Sequence, residues 1–135
     1  MAMLLFSPVL GVVVASSAGD ISVEEADIQI VGNLENGASV TVEVTIHNAG
    51  SETASVYWEM SKDSSNIHEG SFISVAAGGT ATTQTVTDLT AAGSMVITVD
   101  FSSDGIAASQ SRTFTVADRP NLVIGSLLVD PPGPY

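Results

Sequence analysis

An unbroken alternation of aliphatic and polar residues constrains this chain more than any other feature. It lies within residues 38–50, ASVTVEVTIHNAG, where the aliphatic residues are Val40, Val42, Val44 and Ile46, and the polar residues between them are Thr41, Glu43, Thr45 and His47. Side chains of a strand point to opposite faces in turn, so one face of this strand is aliphatic and the other is polar. The pattern therefore predicts a half-buried antiparallel strand that ends at the Asn48-Ala49-Gly50 turn.

Similar alternation recurs along the chain. Further strands are predicted at residues 23–30, 54–60, 71–76, 80–89, 95–101 and 113–116, and turn signals such as Asn36-Gly37 and Gly78-Gly79 separate them. About seven strands at spacings near ten residues, with no helical period after residue 18, are typical of an immunoglobulin-like fold. The sequence therefore predicts an all-β, immunoglobulin-like antiparallel β-sandwich of about seven strands.

Strand parity also predicts which side chains enter the core. Trp58 shares parity with Val56 and Met60, so it is expected to be buried, although Trp58 and Tyr57 would form a sugar-binding platform if they were exposed. Residues Val23, Ala26, Ile28 and Ile30 are expected to share one face, and Phe114 and Val116 to point inward. His47 is expected on the surface. Residues 62–70 and 102–110 are predicted to be polar loops, the first with room for a short edge strand.

Length and composition limit the classes of function. The chain has 135 residues with 44% hydrophobic content, which leaves room for one domain of ordinary size. Fifteen acidic residues face three basic ones, for a formal charge of −12, so nucleic acid and anionic lipid are not expected as partners. The chain has no cysteine, which excludes thiol catalysis, disulfide chemistry and cysteine-based zinc sites.

The N-terminal region indicates export. Residues 1–14, MAMLLFSPVLGVVV, form an apolar run that is too short to span a bilayer comfortably, and the small residues Ala15-Ser16-Ser17-Ala18-Gly19 follow it. The pattern predicts a secretory signal segment, residues 1–18, that is cleaved after Ala18, and an extracellular or cell-surface location. No Lys or Arg precedes the run, and two alternatives stay open: a retained assembly segment, as in a pilin, and a core strand.

The C-terminal region predicts a junction with another unit. The sandwich is expected to occupy residues 19–117, and Asp118-Arg119-Pro120 has the polar, proline-containing character of an interdomain joint. The apolar stretch Asn121-Leu122-Val123-Ile124 has no partner strand after it, and a lone apolar strand would leave an exposed edge. Residues 118–135 are therefore predicted to be a linker and the first strand of a following repeat, poorly ordered while its partners are absent.

Several short motifs resemble the CARDB domain, a cell-adhesion-related module of bacterial and archaeal surface proteins. The resemblance rests on four segments: Ile46-His47-Asn48-Ala49-Gly50, GSMVITVD at residues 93–100, RTFTV at residues 112–116, and PNLVI at residues 120–124. The last of these is similar to the start of a next tandem copy of the domain. The resemblance covers roughly residues 40–130. It implies an immunoglobulin-like spacer or adhesion module in a longer surface protein, with neighbouring domains and surface proteins or glycans as partners.

Few residues of the sequence are candidates for binding a metal ion or for catalysis. Asp100 and Asp104 flank a Ser-Ser pair and are weak candidate calcium ligands, with solvated loop acids as the alternative interpretation. A second set of candidates for calcium at an interdomain joint comprises Asp20, Glu24, Glu25, Asp27 and Asp118. No Ser/His/Asp grouping, nucleophile elbow or phosphate loop is visible, so no catalytic residue and no cofactor other than calcium is predicted.

The sequence thus favours a non-catalytic extracellular module. The alternatives are a subunit of an extracellular filament or surface layer, with the apolar N-terminal segment retained, and an accessory domain of a secreted hydrolase.

Overall fold

The computed structural model describes residues 15–118, which form nine strands and one 3₁₀ turn. In chain order these elements are β1 (Ala15–Ala18), β2 (Ile21–Glu24), the 3₁₀ turn (Glu25–Asp27), β3 (Ile28–Val31), β4 (Ser39–Asn48), β5 (Ala54–Lys62), β6 (Ser65–Val75), β7 (Thr80–Asp88), β8 (Gly93–Ser103) and β9 (Ile106–Val116). The all-β prediction is confirmed. No helix within residues 15–118 is long and apolar enough to cross a membrane.

Two antiparallel sheets pack face to face, as in an immunoglobulin-like sandwich. The first sheet has the order β1-β2-β4-β3, with β7 on the other side of β4, and the second has the order β6-β5-β8-β9. Strands β2 and β3 pair with successive parts of β4, so they are one strand interrupted by the 3₁₀ turn. Strands β2 to β9 therefore fill the seven predicted strand positions, with β2 and β3 sharing one of them, and β1 is added beside β2.

The core forms between the sheets, on the faces that the alternation predicted. The aliphatic residues of β4 are all buried, and so are Val56, Trp58 and Met60 on β5. Trp58 is only 3% exposed, which confirms its prediction. On β9, Val116 is buried while Phe114 is partly buried and packs against the core. Removing this apolar surface from water stabilises the fold by about 25 cal/mol per Å².

The 3₁₀ turn accounts for one wrong prediction. Ala26 was expected to face inward with Val23 and Ile28, but it lies in the 3₁₀ turn and is exposed. The turn breaks the period of two, so Val23 and Ile28 are both buried although they are five positions apart. Strand parity cannot be carried across such an insertion.

The loop prediction is wrong for residues 102–110 and for most of residues 62–70, because each segment is a tight hairpin between long strands; the edge strand allowed for in residues 62–70 exists as the start of β6. The β5–β6 turn consists of Asp63 and Ser64, with φ values of 48° and 71°, and the β8–β9 turn consists of Asp104 and Gly105, with φ values of 51° and 78°. Positive φ at both central residues defines the type I′ turn that suits the twist of a two-residue hairpin. The second turn carries the Asp-Gly pair that is typical of a two-residue hairpin, so this part of the topology was accessible from the sequence.

The two ends of the sandwich are distinct. At one end, which we call the Gly19 pole, the Gly19-Asp20 turn, the β4–β5 connection and the Asp104-Gly105 turn line one polar groove. At the other end, the Ala117 pole, the Ala117 N–H donates to the Leu34 carbonyl at 2.8 Å, and the Asn36 N–H donates to the Ala117 carbonyl at 2.9 Å. Strand β9 runs from the first pole to the second, so the end of the domain is fastened opposite the Gly19-Asp20 turn.

Residues 1–14 and 119–135 lie outside the described residues, and with them most of the predicted signal segment and all of the predicted following strand. Residues Ala15–Ala18, which the signal prediction would remove, form β1 and pair with β2, and Ala18 is only 1% exposed. Cleavage after Ala18 stays a prediction. If it occurs, the mature protein lacks β1, and β2 loses its partner at that edge of the first sheet.

Candidate functional site

Both histidines of the chain contact other parts of the fold. His47 is partly exposed, and its Nε2 lies 2.9 Å from Asp27 Oδ2, which also accepts the Glu24 N–H at 2.8 Å. The His68 ring stacks on Trp58 with centroids 3.9 Å apart, and its Nε2 lies 3.0 Å from Ser71 Oγ. Each ring is thus tied to a neighbouring structural element.

The structure does not bring Asp100 and Asp104 together, although it brings Asp104 and Asp20 to the same groove at the Gly19 pole. Asp104 lies in the β8–β9 turn at the Gly19 pole, whereas Asp100 lies on the outer face of β8, where it accepts a hydrogen bond from Ser109. Asp20 is at the Gly19 pole and Asp118 follows the strand that ends at the Ala117 pole, while Glu24, Glu25 and Asp27 belong to the 3₁₀ turn region between them. Within residues 15–118, no three His, Asp or Glu side chains are grouped so that they could hold a metal ion.

A groove of about 460 Å³ lies instead on the outer face of the second sheet. It crosses β5, β8 and β9, and we call it the Tyr57 groove; its lining residues are Tyr57, Glu59, Asp100, Phe101, Ser102, Ala107, Ala108 and Ser109. The strand register arranges the outward side chains in two rows. One row is Phe72, Tyr57, Ser102 and Ala107, and the next contains Glu59, Asp100 and Ser109.

Tyr57 forms one wall of this groove, and Gly70 makes its position possible. An ideal Cβ at Gly70 would lie 1.6 Å from the Tyr57 hydroxyl oxygen, so only glycine leaves room for the phenol over β6. On the side away from the groove the Tyr57 ring meets Phe72 edge to face, with centroids 5.1 Å apart and planes at 66°. Phe72 is 70% exposed, an unusual exposure for a phenylalanine.

Glu59 and Asp100 occupy directly opposite positions on β5 and β8. Each carboxylate receives a hydroxyl hydrogen bond: Tyr57 Oη donates to Glu59 Oε2 at 3.1 Å, and Ser109 Oγ donates to Asp100 Oδ1 at 2.7 Å. Like charges directly opposite on neighbouring strands destabilise a sheet, and these two carboxylates keep oxygens open to the groove. The arrangement concentrates negative charge beside an aromatic wall.

The hydrogen bond to Glu59 is the main reason that the pKa of Tyr57 is raised above its ordinary value of 10.0, and the negative charges of Glu59 and Glu69 act in the same direction. The phenol therefore stays protonated, and remains a donor to Glu59, throughout the physiological range. This bond fixes the orientation of both side chains.

The two basic side chains among the described residues are engaged elsewhere. Lys62 Nζ donates to the Asp88 carbonyl, and Arg112 donates to the Ile28 carbonyl at 2.8 Å while its guanidinium lies 4.9 Å from the centroid of Phe114. The groove thus contains hydrogen-bond acceptors, the hydroxyls of Tyr57, Ser102 and Ser109, and an aromatic face, and no cation. It suits a ligand with donor groups, and it repels anions.

The sequence had indicated only part of this site. Tyr57 and Asp100 were named as candidates, Tyr57 as a sugar platform and Asp100 as a calcium ligand, whereas Glu59, Phe72 and Ser109 were missed. Parity alone would have put Glu59 beside Tyr57 on the outer face of β5. The pairing that brings Phe72, Asp100 and Ser109 to them depends on the register between distant strands.

Neither a comparison with protein-family models nor a search of curated proteins gives a match to this sequence. Among solved structures, the fold is similar to part of a protein described as a "putative beta-galactosidase" from Bacteroides fragilis, with a TM-score of 0.51 and 17% sequence identity. The match covers 73% of this chain and 16% of that chain. At this identity the likeness establishes the fold and nothing further.

Proposed function

We propose that this chain is a non-catalytic extracellular module of CARDB type, which acts as a spacer and adhesion domain in a longer tandem-repeat surface protein. The observation that carries the proposal is the fastening of Ala117 at the pole opposite the Gly19-Asp20 turn. Neighbouring units joined at these two points would line up end to end, and each would display the outer faces of its sheets.

The mechanism is mechanical and electrostatic. Strands β8 and β9 pair over eleven residues. A pulling force applied along β9 would therefore act on many of the hydrogen bonds between these two strands at the same time. The outer face of the second sheet presents the Tyr57 groove to partners. Acidic surface residues keep such arrays soluble and apart from anionic lipid.

N-terminal sequencing of the exported protein tests the proposal against the filament alternative. We expect a mature end at Gly19. An intact apolar N-terminus in assembled material would favour the filament or surface-layer subunit and would contradict the spacer.

Activity assays test the non-catalytic part of the proposal. We expect no turnover of peptide, ester or glycoside substrates by this chain. The imidazole of the Ser–His contact within residues 15–118, His68 Nε2 with Ser71 Oγ at 3.0 Å, is stacked on the buried Trp58, and no three His, Asp or Glu side chains in that range are grouped to hold a metal ion. Turnover that a single Asp or Ser substitution abolishes would overturn this expectation.

An accessory domain of a secreted hydrolase is the second candidate. The specific observation in its favour is that a sandwich of this fold accounts for 16% of the Bacteroides fragilis protein described above. The full-length gene decides between the two, because a catalytic domain in the same chain would support the accessory role.

A further inference from the structure

We propose that the Tyr57 groove binds a basic side chain, arginine in preference to lysine, of a partner protein. This inference rests on the adhesion role proposed above and names the chemistry of its partner. It starts from an apolar and aromatic groove of about 460 Å³ that carries two carboxylates and no cation.

Charge complementarity selects the occupant. The groove brings Glu59 and Asp100 to directly opposite positions, and neither Lys62 nor Arg112, the basic residues of the described part, reaches them. A sheet keeps such a like-charge pair at a cost in stability, and local costs of this kind are typical of functional sites. A bound cation would relieve the repulsion, whereas a neutral ligand would leave it in place.

The aromatic wall favours a side chain over a bare ion. The Tyr57 ring is held by Phe72 on one side and by its hydrogen bond to Glu59, so it presents a fixed face beside the carboxylates. A guanidinium is planar, donates in a fork to carboxylates and stacks on aromatic rings. The chain itself contains this contact, since the Arg112 guanidinium lies over the Phe114 ring.

The small side chains of the groove leave space for the stem of the incoming residue. Ala107 and Ser102 occupy the row of Tyr57, and Ser109 lies beside Asp100 with its hydroxyl already donated. The methylene groups of an arginine would cover Ala107 and Ser102 while its charged end lies between Glu59 and Asp100. Long basic side chains commonly bury their stems in this way.

The experiment is an NMR titration of the ¹⁵N-labelled full chain with the peptide acetyl-Gly-Arg-Gly-amide. The matched control ligand replaces arginine with citrulline, which has nearly the same shape and no charge. We expect saturable shifts at the amides of Tyr57, Glu59, Asp100 and Ser109 with the arginine peptide, weaker shifts with a lysine peptide and none with the citrulline peptide. Added salt should weaken binding, because the ion pairs are exposed.

Four variants connect the shifts to the groove. Glu59→Gln and Asp100→Asn should each weaken binding by about three- to tenfold, the effect of losing one hydrogen bond of ordinary net strength at an exposed site. Gly70→Ala should weaken it without changing any charge, because the new Cβ displaces the Tyr57 phenol. Glu43→Gln, on the outer face of the first sheet, removes the same charge from a carboxylate bonded to Gln84 and should leave binding unchanged.

Folding does not confound the test with the two carboxylate variants, because Glu59→Gln and Asp100→Asn remove a repulsion and should preserve or raise stability. The proposal is overturned if the citrulline peptide binds as well as the arginine peptide, or if Glu43→Gln weakens binding as much as the groove variants. It is also overturned if lactose shifts the groove amides and the arginine peptide does not, which would make the groove a sugar site. Failure here would leave the N-terminal sequencing and activity results, and hence the spacer proposal, unaffected.

Discussion

At the scale of single residues, glycine and aromatic side chains determine the local geometry of the second sheet. Gly70 provides the space in which the Tyr57 phenol lies, and that position lets the phenol reach Glu59. On the opposite face of β5, Trp58 is buried and stacked against His68. Neighbouring aromatic residues of one strand thus have different roles, one in the core and one on the surface.

Trp58 should be the most costly of these residues to truncate. We expect Trp58→Ala to lower the free energy of unfolding by about 3–5 kcal/mol, the range for a buried large aromatic side chain. Chemical denaturation followed by circular dichroism measures the change. Phe72→Ala is the matched control, since Phe72 is 70% exposed and its loss should cost less than about 1 kcal/mol. Equal effects of the two substitutions would contradict the assigned core.

Tyr57 should titrate above pH 10, because its pKa is raised chiefly by the hydrogen bond to Glu59. A phenol with a raised pKa in the folded state contributes stability that is present below its unfolded pKa of about 10 and is lost as the pH rises through the folded value. The difference in tyrosinate absorbance between the wild type and Tyr57→Phe isolates this group. Glu59→Gln should bring the titration back toward the ordinary value. An unchanged titration in Glu59→Gln would contradict the assigned cause.

At the scale of elements, the 3₁₀ turn between β2 and β3 shows how a break in a strand is compensated. The break frees the carbonyls of Val23 and Ile28, and the β9 side chains of Gln110 and Arg112 donate hydrogen bonds to them at 3.0 and 2.8 Å. Buried carbonyls need such partners, because an unpaired one costs about 1–3 kcal/mol. Polar residues on the inward face of β9 therefore join the two sheets.

Strand β1 supplies a test of where the folded domain begins. A chain that starts at Gly19 loses the pairing of Ala15–Ala18 with β2 and the burial of Ala18, so it should be less stable than a chain that starts at Ala15 by about 1–3 kcal/mol. Denaturation with urea measures the difference.

Point substitutions in the full chain provide the control for this truncation. Ala18→Asp should destabilise the domain because Ala18 is 1% exposed, whereas Ser17→Asp should not because Ser17 is exposed. Equal stability of Ala18→Asp and Ser17→Asp would show that β1 is not docked.

At the scale of the whole molecule, the charge imbalance is the dominant electrostatic property. Fifteen acidic residues face three basic ones, and within residues 15–118 the one carboxylate found close to a basic side chain is Asp27, whose Oδ2 lies 2.9 Å from His47 Nε2. Repulsion among these unpaired charges opposes the compact state, and dissolved salt screens it. The fold should therefore be more stable in saline conditions than in dilute buffer.

Thermal unfolding in increasing NaCl tests this expectation. We expect about 1 kcal/mol of added stability between low salt and 0.5 M NaCl, or a rise of about 4 °C in Tm. At constant ionic strength, calcium at millimolar concentration should stabilise the fold no more than magnesium, because Asp100 and Asp104 lie in different grooves. The prediction is contradicted if calcium stabilises the fold more than magnesium does and if Asp100→Asn or Asp104→Asn abolishes that difference. These residues would then be calcium ligands.

The sequence by itself determined the fold class and the buried faces of the most regular strands, as β4 and Trp58 on β5 show. Alternation is a local property, and whichever partners a strand finds, its aliphatic face must leave water. The same reasoning failed at Ala26, where a turn inserts residues between two half-strands, and at the two hairpins, where Asp63-Ser64 and Asp104-Gly105 continue the strands through positive φ values.

Only the tertiary structure decided what the outer faces contain. Tyr57 meets Phe72, and Glu59 meets Asp100, because the register of β5 with β6 and β8 places them in the same rows. Register is set by turns and by core packing that act on residues far apart in the chain, so no local pattern specifies it. A groove built across three strands is a property of that register, and the sequence shows its side chains without showing that they are neighbours.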